Sequence, residues 1–466
     1  MITIEVFRLF EALAKLPYPL TRYDGQHGDY LRRPERMPKT IFISAGEASG
    51  EHYGALLVTA LERQLAGSGQ RAQFFGMGGA RMEAAGLEVV VRPEEIAVMG
   101  LTEVVRHLPH IYGEFRKLKQ AIRSRRPSVA VLIDFPEIHF RLAEELHRLG
   151  VPVIFFVSPQ LWAWKKGRIK LVQKYVDRML VIFPFEEPFY RQHGVAAEFV
   201  GHPLAELPLP TSSREQFAEE NGLDATKTWI GLLPGSRPKE IRDNLPEILR
   251  AAQMLVVVVS EAKRPPSGAK APTPAESLMY GLKPVPFMTE GIEFLIPLAP
   301  TLNAAQRDEV RRLVQTHGHG LAIQLVEDAR AALHHARASV VASGTATVEA
   351  ALIGNPFVVV YRVSALTYAI AKRMVKVPHV AMANLIADRR VVPELIQSDF
   401  TAENIVQQLG RLLPDGADRE SMMQELARVR ALLQTGQRNS GAIERVAAVT
   451  VELAKKSSSS NQSRNL

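Results

Sequence analysis

Four short stretches carry residue types that could do chemistry. Ala45-Gly46-Glu47-Ala48-Ser49-Gly50-Glu51 is a glycine-bearing turn between an apolar run and a helical pattern. Backbone amides in such a turn can hold an anion or a sugar hydroxyl, although two glycines suit any strand-to-helix turn and Glu47 also fits a plain helix cap. Asp134 follows the apolar run Val129 to Ile133 and precedes Phe135-Pro136. Its carboxylate should emerge at the carboxyl edge of a sheet, where a general base belongs; a turn-forming aspartate satisfying nearby amides is the plainer alternative. Leu233-Pro234-Gly235-Ser236-Arg237 repeats the arrangement with an arginine that could hold a diphosphate, or that could be a surface arginine in a tight turn. Ala342-Ser343-Gly344-Thr345-Ala346-Thr347-Val348-Glu349 does so again. Its helix N-terminus suits a phosphate, and Glu349, a turn further in, can accept hydrogen bonds from ribose hydroxyls. Two such loops in one domain facing one edge point to a nucleotide site. No Walker lysine motif accompanies them, so ATP hydrolysis is not indicated.

These turns need a scaffold that brings them to one edge. From Lys39 onward, short apolar runs alternate with helical periodicity, which is the pattern of α/β domains with a parallel sheet covered on both faces. The first set of runs is Thr40 to Ala45, Val129 to Ile133, Val151 to Val157 and Met179 to Phe183. The second is Trp229 to Leu233, Phe294 to Leu298, Leu321 to Val326, Ser339 to Ala342 and Phe357 to Tyr361. Two Rossmann-like, doubly wound sheets in series imply a cleft between them. The expected divisions are an N-terminal extension over 1–38, a first domain over 39–207 and a second over 208–375, then C-terminal helices over 376–454 and a disordered tail over 455–466. Residues 263–291, rich in Pro, Ala and Gly, predict a surface insertion in the second domain. Val256 to Val259 is β-branched, yet it continues the spacing of Leu245, Ile248, Leu249 and Met254, which predicts the end of a helix.

Composition narrows the chemistry further. The 466 residues exceed one compact core, and there is no cysteine, which removes disulfides, thiolate catalysis and cysteine zinc sites. Histidines are scattered, the adjacent pair His334-His335 cannot aim both rings at one ion, and no metal site is expected; His202, in Gly201-His202-Pro203-Leu204, fits a structural role. A formal charge of +8 favours an acidic partner such as a nucleotide or an anionic lipid. No nucleic-acid module is present, and nucleic-acid binding is not expected. No apolar run reaches the roughly 20 residues that cross a bilayer, and Glu5, Arg8, Glu11 and Lys15 interrupt any secretory signal. Two apolar stretches with basic flanks, Ile96 to Leu118 and Tyr361 to Lys376, match binding at an anionic membrane surface; ordinary core helices with solvated charges explain any single residue as well.

The order of these motifs resembles the lipid-A-disaccharide synthase family of inverting glycosyltransferases. Further motifs carry the resemblance: Ala97-Val98-Met99-Gly100, Val157-Ser158-Pro159-Gln160 with Leu161-Trp162-Ala163-Trp164, Phe183-Pro184-Phe185-Glu186, Tyr361-Arg362, Asn384-Leu385 and Pro393-Glu394-Leu395. The resemblance runs from about Thr40 to about Val451, the insertion excepted. It implies the two-domain GT-B fold. It also implies transfer of 2,3-diacylglucosamine from its UDP ester to 2,3-diacylglucosamine 1-phosphate, giving a β-1,6-linked disaccharide 1-phosphate and UDP without a cofactor. The family's base aligns with Asp134 and its acceptor side with Glu47, Ser49, Gly50 and Met99. Its donor side aligns with Ser236, Arg237, Gly344, Thr345, Glu349 and Asn384. Family members are peripheral, on the cytoplasmic face of the inner membrane, and some form homodimers that exchange C-terminal helices. This chain departs from the pattern at Glu51 and at Glu137-Ile138-His139, both on the acceptor side. A UDP-sugar 2-epimerase of the same fold and a catalytically decayed sugar-nucleotide binding protein are the alternatives.

Overall fold

The computed structural model describes residues 39–96, 101–163, 166–262, 291–364, 368, 377–434 and 441–462. The expected extension 1–38, Met99, Trp164 and nearly all of the insertion 263–291 lie outside them. The chain divides into two units, Met1–Pro203 with Thr435–Leu466, and Leu204–Gln434. The expectation of a separate C-terminal block over 376–454 therefore gives way to a split. Residues up to 434 stay with the second sheet, and the helix Ala442–Gln462 returns to the first unit. That return has a physical basis in side chains distant in sequence: Glu444 takes hydrogen bonds from Arg63 and Gln64, and Arg445 pairs with Glu198.

The first unit is built on seven parallel strands: β1 (Lys39–Ala45), β2 (Ala72–Met77), β3 (Leu87–Val91), β4 (Val129–Ile133), β5 (Val153–Phe156), β6 (Arg178–Val181) and β7 (Ala197–Phe199). Their spatial order is β3-β2-β1-β4-β5-β6-β7. The central strands are largely apolar because helices cover both faces, so alternation disappears; all five residues of β4 are buried. Burying one such leucine or valine contributes about 2 kcal/mol. The helix Leu101–Arg125 adds Ile111, Phe115, Leu118 and Ile122 to the same core. These residues are therefore packed inside rather than offered as a surface patch. Four of the flanking basic residues have partners: Lys117 pairs with Glu114, Lys119 and Arg123 with Glu145, and Arg125 with Glu88.

The second unit carries six parallel strands: β8 (Thr228–Leu233), β9 (Ile292–Pro297), β10 (Ile323–Val326), β11 (Ala338–Ala342), β12 (Phe357–Tyr361) and β13 (Glu394–Ile396). Their order is β10-β9-β8-β11-β12-β13. Val256 to Val259 lies within the helix Pro238–Ala262, as its spacing predicts, and Leu245, Ile248, Leu249 and Leu255 of that helix are buried. Among the described residues, no helix is long and apolar enough to cross a membrane.

Candidate active site

In each sheet the strand order reverses at one place, between β1 and β4 in the first unit and between β8 and β11 in the second. Ligands of open parallel α/β sheets bind beyond the carboxyl ends of the strands at such a reversal. The four stretches singled out by their residue types are the turns that leave these four strands. Ala45 pairs with Ile133, so Gly46-Glu47 and Asp134-Phe135 leave the first sheet side by side. Leu233 pairs with Val341, so the Pro234–Arg237 turn and the Ser343–Gly344 turn leave the second sheet in the same way.

The Asp134 turn is held in an unusual backbone conformation. Asp134 and Phe135 both have positive φ, 52° and 50°. An aspartate tolerates this region, whereas a phenylalanine does so at a cost of about 1–3 kcal/mol, and such strain persists only where the surroundings enforce it. Three contacts enforce it here. The Asp134 amide donates to the Phe156 carbonyl at 2.9 Å. His139, on the helix Pro136–Arg148, meets the Asp134 carbonyl through Nδ1 at 2.5 Å and Ser44 Oγ through Nε2 at 2.8 Å. The Phe135 ring lies directly over Gly46, where an added Cβ would come within 2.2 Å of it. His139 is fully enclosed, and burial pushes its pKa down to about 4, so the ring is neutral.

The other residues expected on the acceptor side have distinct placements. Glu47 is exposed at the N-cap position of the helix Ala48–Ala66, and its carboxylate accepts no capping hydrogen bond from the first-turn amides. Ser49 is half-buried in the first turn, and Gly50 is buried against Ala45 and Ile133, where it brings the helix close to β1 and β4. Glu51 accepts from the Arg81 amide at 2.9 Å, and Glu137 pairs with Arg168 at 3.1 Å. Both departures from the family pattern thus have partners of their own.

In the second unit, Gly235 and Gly344 have φ of 128° and 155°, backbone that side chains rarely adopt. Ser236 and Arg237 are exposed, and their amides point at Glu240 Oε2 from 3.3 and 3.4 Å. The Arg237 guanidinium stands 3.8 Å from the same carboxylate. Gly344 and Thr345 are exposed at the start of the helix Thr345–Ile353, where the Thr347 amide donates to the Gly344 carbonyl at 3.1 Å and no side chain caps the first turn. Glu349 is half-buried; burial raises its carboxyl pKa, against the pull of Arg330. Asn384 is fully enclosed and its amide is spent on the protein itself. Its Oδ1 accepts from the Val391 and Val392 amides, and its Nδ2 donates to the Val392 carbonyl and to Glu394.

Reading residue types alone missed three participants. His139 and Ser44 clamp the Asp134 turn across 95 residues of chain, and no local pattern announces that. Glu186 is the third. It is buried, accepts from Ser158 Oγ at 2.6 Å, Trp162 Nε1 at 3.1 Å and the Phe183 amide at 3.2 Å, and so ties the turn after β5 to the turn after β6. Burial raises its carboxyl to about 7, despite those donors. The only signal of this clasp was that both segments belong to motifs of the resemblance.

Two Rossmann-like parallel sheets of this kind make up the GT-B fold. The fold is similar to that of a kitacinnamycin glycotransferase, with a TM-score of 0.53 at 14% identity over 90% of this chain and 99% of that one. It is equally similar to a UDP-GlcNAc 2-epimerase from Neisseria meningitidis, with a TM-score of 0.53 at 11% identity over 89% and 100% of the two chains. The sequence is more specific. The family model for lipid-A-disaccharide synthetase matches residues 41–264 and 286–447, passing over 265–285. A lipid-A-disaccharide synthase of Acidobacterium capsulatum is 57% identical over 422 residues, 89% of this chain and 96% of the relative. The chain belongs to the lipid-A-disaccharide synthase family, whose members are glycosyltransferases.

Proposed function

We propose that the chain transfers 2,3-diacylglucosamine from its UDP ester to 2,3-diacylglucosamine 1-phosphate, forming a β-1,6-linked disaccharide 1-phosphate and UDP. Asp134 takes the proton of the acceptor's 6-hydroxyl as that oxygen attacks the donor's anomeric carbon from the face opposite UDP. The new carbon–oxygen bond forms while the bond from the anomeric carbon to the diphosphate breaks, and the configuration inverts. Negative charge collects on the departing diphosphate, where Arg237 and the first-turn amides after Gly344 stabilise it. Ser236 and Thr345 add hydroxyls to that cradle, and Glu349 accepts from ribose. Asn384 serves the donor side at one remove, by holding the backbone of Val391 and Val392. Glu47, Ser49 and Gly50 line the acceptor side. Because both substrates carry acyl chains, the chain works as a peripheral protein on the cytoplasmic face of the inner membrane, an association that its charge of +8 favours on an anionic surface.

The observation that supports this reading most is the match between chemistry and strand order. The carboxylate turn and the glycine turn flank one reversal, and the arginine turn and the helix N-terminus flank the other. The test is a transfer assay with both acylated substrates, the product identified by mass, on the wild type and Asp134→Asn. The wild type should release disaccharide 1-phosphate and UDP. The variant should turn over about 100 to 10,000-fold more slowly with its UDP affinity intact. A fully active variant refutes the base assignment, and consumption of UDP-GlcNAc without an acceptor points to epimerase chemistry instead.

A further inference from the structure

We propose that His139 is the positioning residue for the Asp134 base, acting through a directed hydrogen-bond chain from Ser44 to the Asp134 carbonyl. This inference rests on the role given to Asp134 above. The direction of the chain follows from donor and acceptor chemistry. A carbonyl oxygen only accepts, so Nδ1, 2.5 Å from the Asp134 oxygen, carries the proton. The neutral ring then leaves Nε2 as an acceptor, and the Ser44 hydroxyl, 2.8 Å away, donates to it. The tautomer is thereby set from both sides of the ring.

The carbonyl that receives this bond belongs to the peptide unit joining Asp134 to Phe135. Its orientation depends on ψ of Asp134 and φ of Phe135, so the bond acts on the very torsions that hold the two left-handed residues. The direction of the Asp134 side chain from the turn depends on the same torsions. Two further contacts stiffen the device. The His139 ring meets Phe135 and Phe155 edge to face at 5.9 and 6.0 Å, and Ser44 sits on the central strand β1, fully buried. A loosened peptide unit would swing the carboxylate, and a displacement of about 1 Å at a reacting group costs about 100-fold in rate.

The test compares three full-length proteins, wild type, His139→Phe and His139→Asn, in the two-substrate transfer assay. Phenylalanine keeps the ring and loses the donor. Asparagine loses the ring but sets its amide nitrogen where Nδ1 stood. The expected result for His139→Phe is a kcat lower by about 10- to 100-fold, with KM for both substrates and UDP affinity within about twofold of wild type. His139→Asn should recover most of that loss, which a purely packing role would not produce. Nitrogen-15 NMR of the wild-type histidines supplies a readout independent of how any variant folds: His139 should show a protonated Nδ1 and a bare Nε2. A wild-type kcat in folded His139→Phe, an Asn variant no better than the Phe variant, or a proton on Nε2 would each overturn the inference while leaving the base assignment standing. Full activity in Asp134→Asn is a distinct result, which overturns the base assignment and this inference with it.

Discussion

Lowering the pH from 7 to 5 should weaken the first unit through its buried imidazoles, and His202 is the more direct one to test. Its side chain is 2% exposed, set between the rings of Tyr53 and Phe183. Burial pushes its pKa from 6.5 down to about 3. The folded state therefore keeps a neutral ring through an interval in which the unfolded chain takes up a proton. The stability due to this site is fully present above pH 6.5 and is lost as the pH falls toward the folded value. At about 1.36 kcal/mol per pH unit, the fall from 6.5 to 5 removes about 2 kcal/mol. His139, depressed to about 4, loses a similar ~2 kcal/mol over the same range. Glu186 works in the opposite sense. Its folded value, about 7, exceeds the unfolded 4.5, so its contribution is present at low pH and lost as the pH rises through 7; acidification to pH 5 returns about 2 kcal/mol. The three together leave a net loss of about 2 kcal/mol. The assay is urea unfolding of wild type and His202→Asn at both pH values. Lost packing penalises the variant equally at each, so the informative quantity is the difference between the two pH effects. The loss on acidification should be smaller in the variant by about 2 kcal/mol, and an identical pH dependence in both proteins would refute the claim that burial holds His202 neutral.

Two other substitutions probe the turns. Gly46→Ala puts a methyl group where the Phe135 ring lies, 2.2 Å from the new carbon, so the Asp134 turn must shift; kcat in the transfer assay should fall by about 10-fold or more, with UDP binding unchanged. An unaltered kcat would mean that the ring yields without moving the carboxylate. Asn384→Ala strips the partners from one buried and one half-buried amide and from Glu394, and should lower the unfolding free energy by about 3 kcal/mol in urea titrations; a neutral result would contradict the saturation of its amide.

The strands flanking each reversal were legible because burial on both faces leaves them with long apolar runs, as in Val129 to Ile133 and Trp229 to Leu233. Four strands escaped notice. In β2 the run is interrupted by Gln73 and Gly76; β3 is a sheet-edge strand with Glu88 exposed; β7 and β13, also at the edges, have three residues each. Edge strands need little apolar surface, so their composition barely distinguishes them from loops.

By itself, the sequence determined the residue types at the carboxyl ends of β1, β4, β8 and β11, because each strand, turn and helix is a local pattern of polarity. It also carried the family, since many short motifs recur in one order along the chain. Which strands became neighbours was decided by the tertiary structure alone. Parallel pairing joins segments dozens of residues apart, and only their side-by-side placement sets the glycine turn beside Asp134 and the arginine turn beside Gly344. The same holds for the Ser44, His139 and Asp134 chain and for Asn384. A hydrogen bond depends on where two groups lie in space, and no spacing along the chain encodes that.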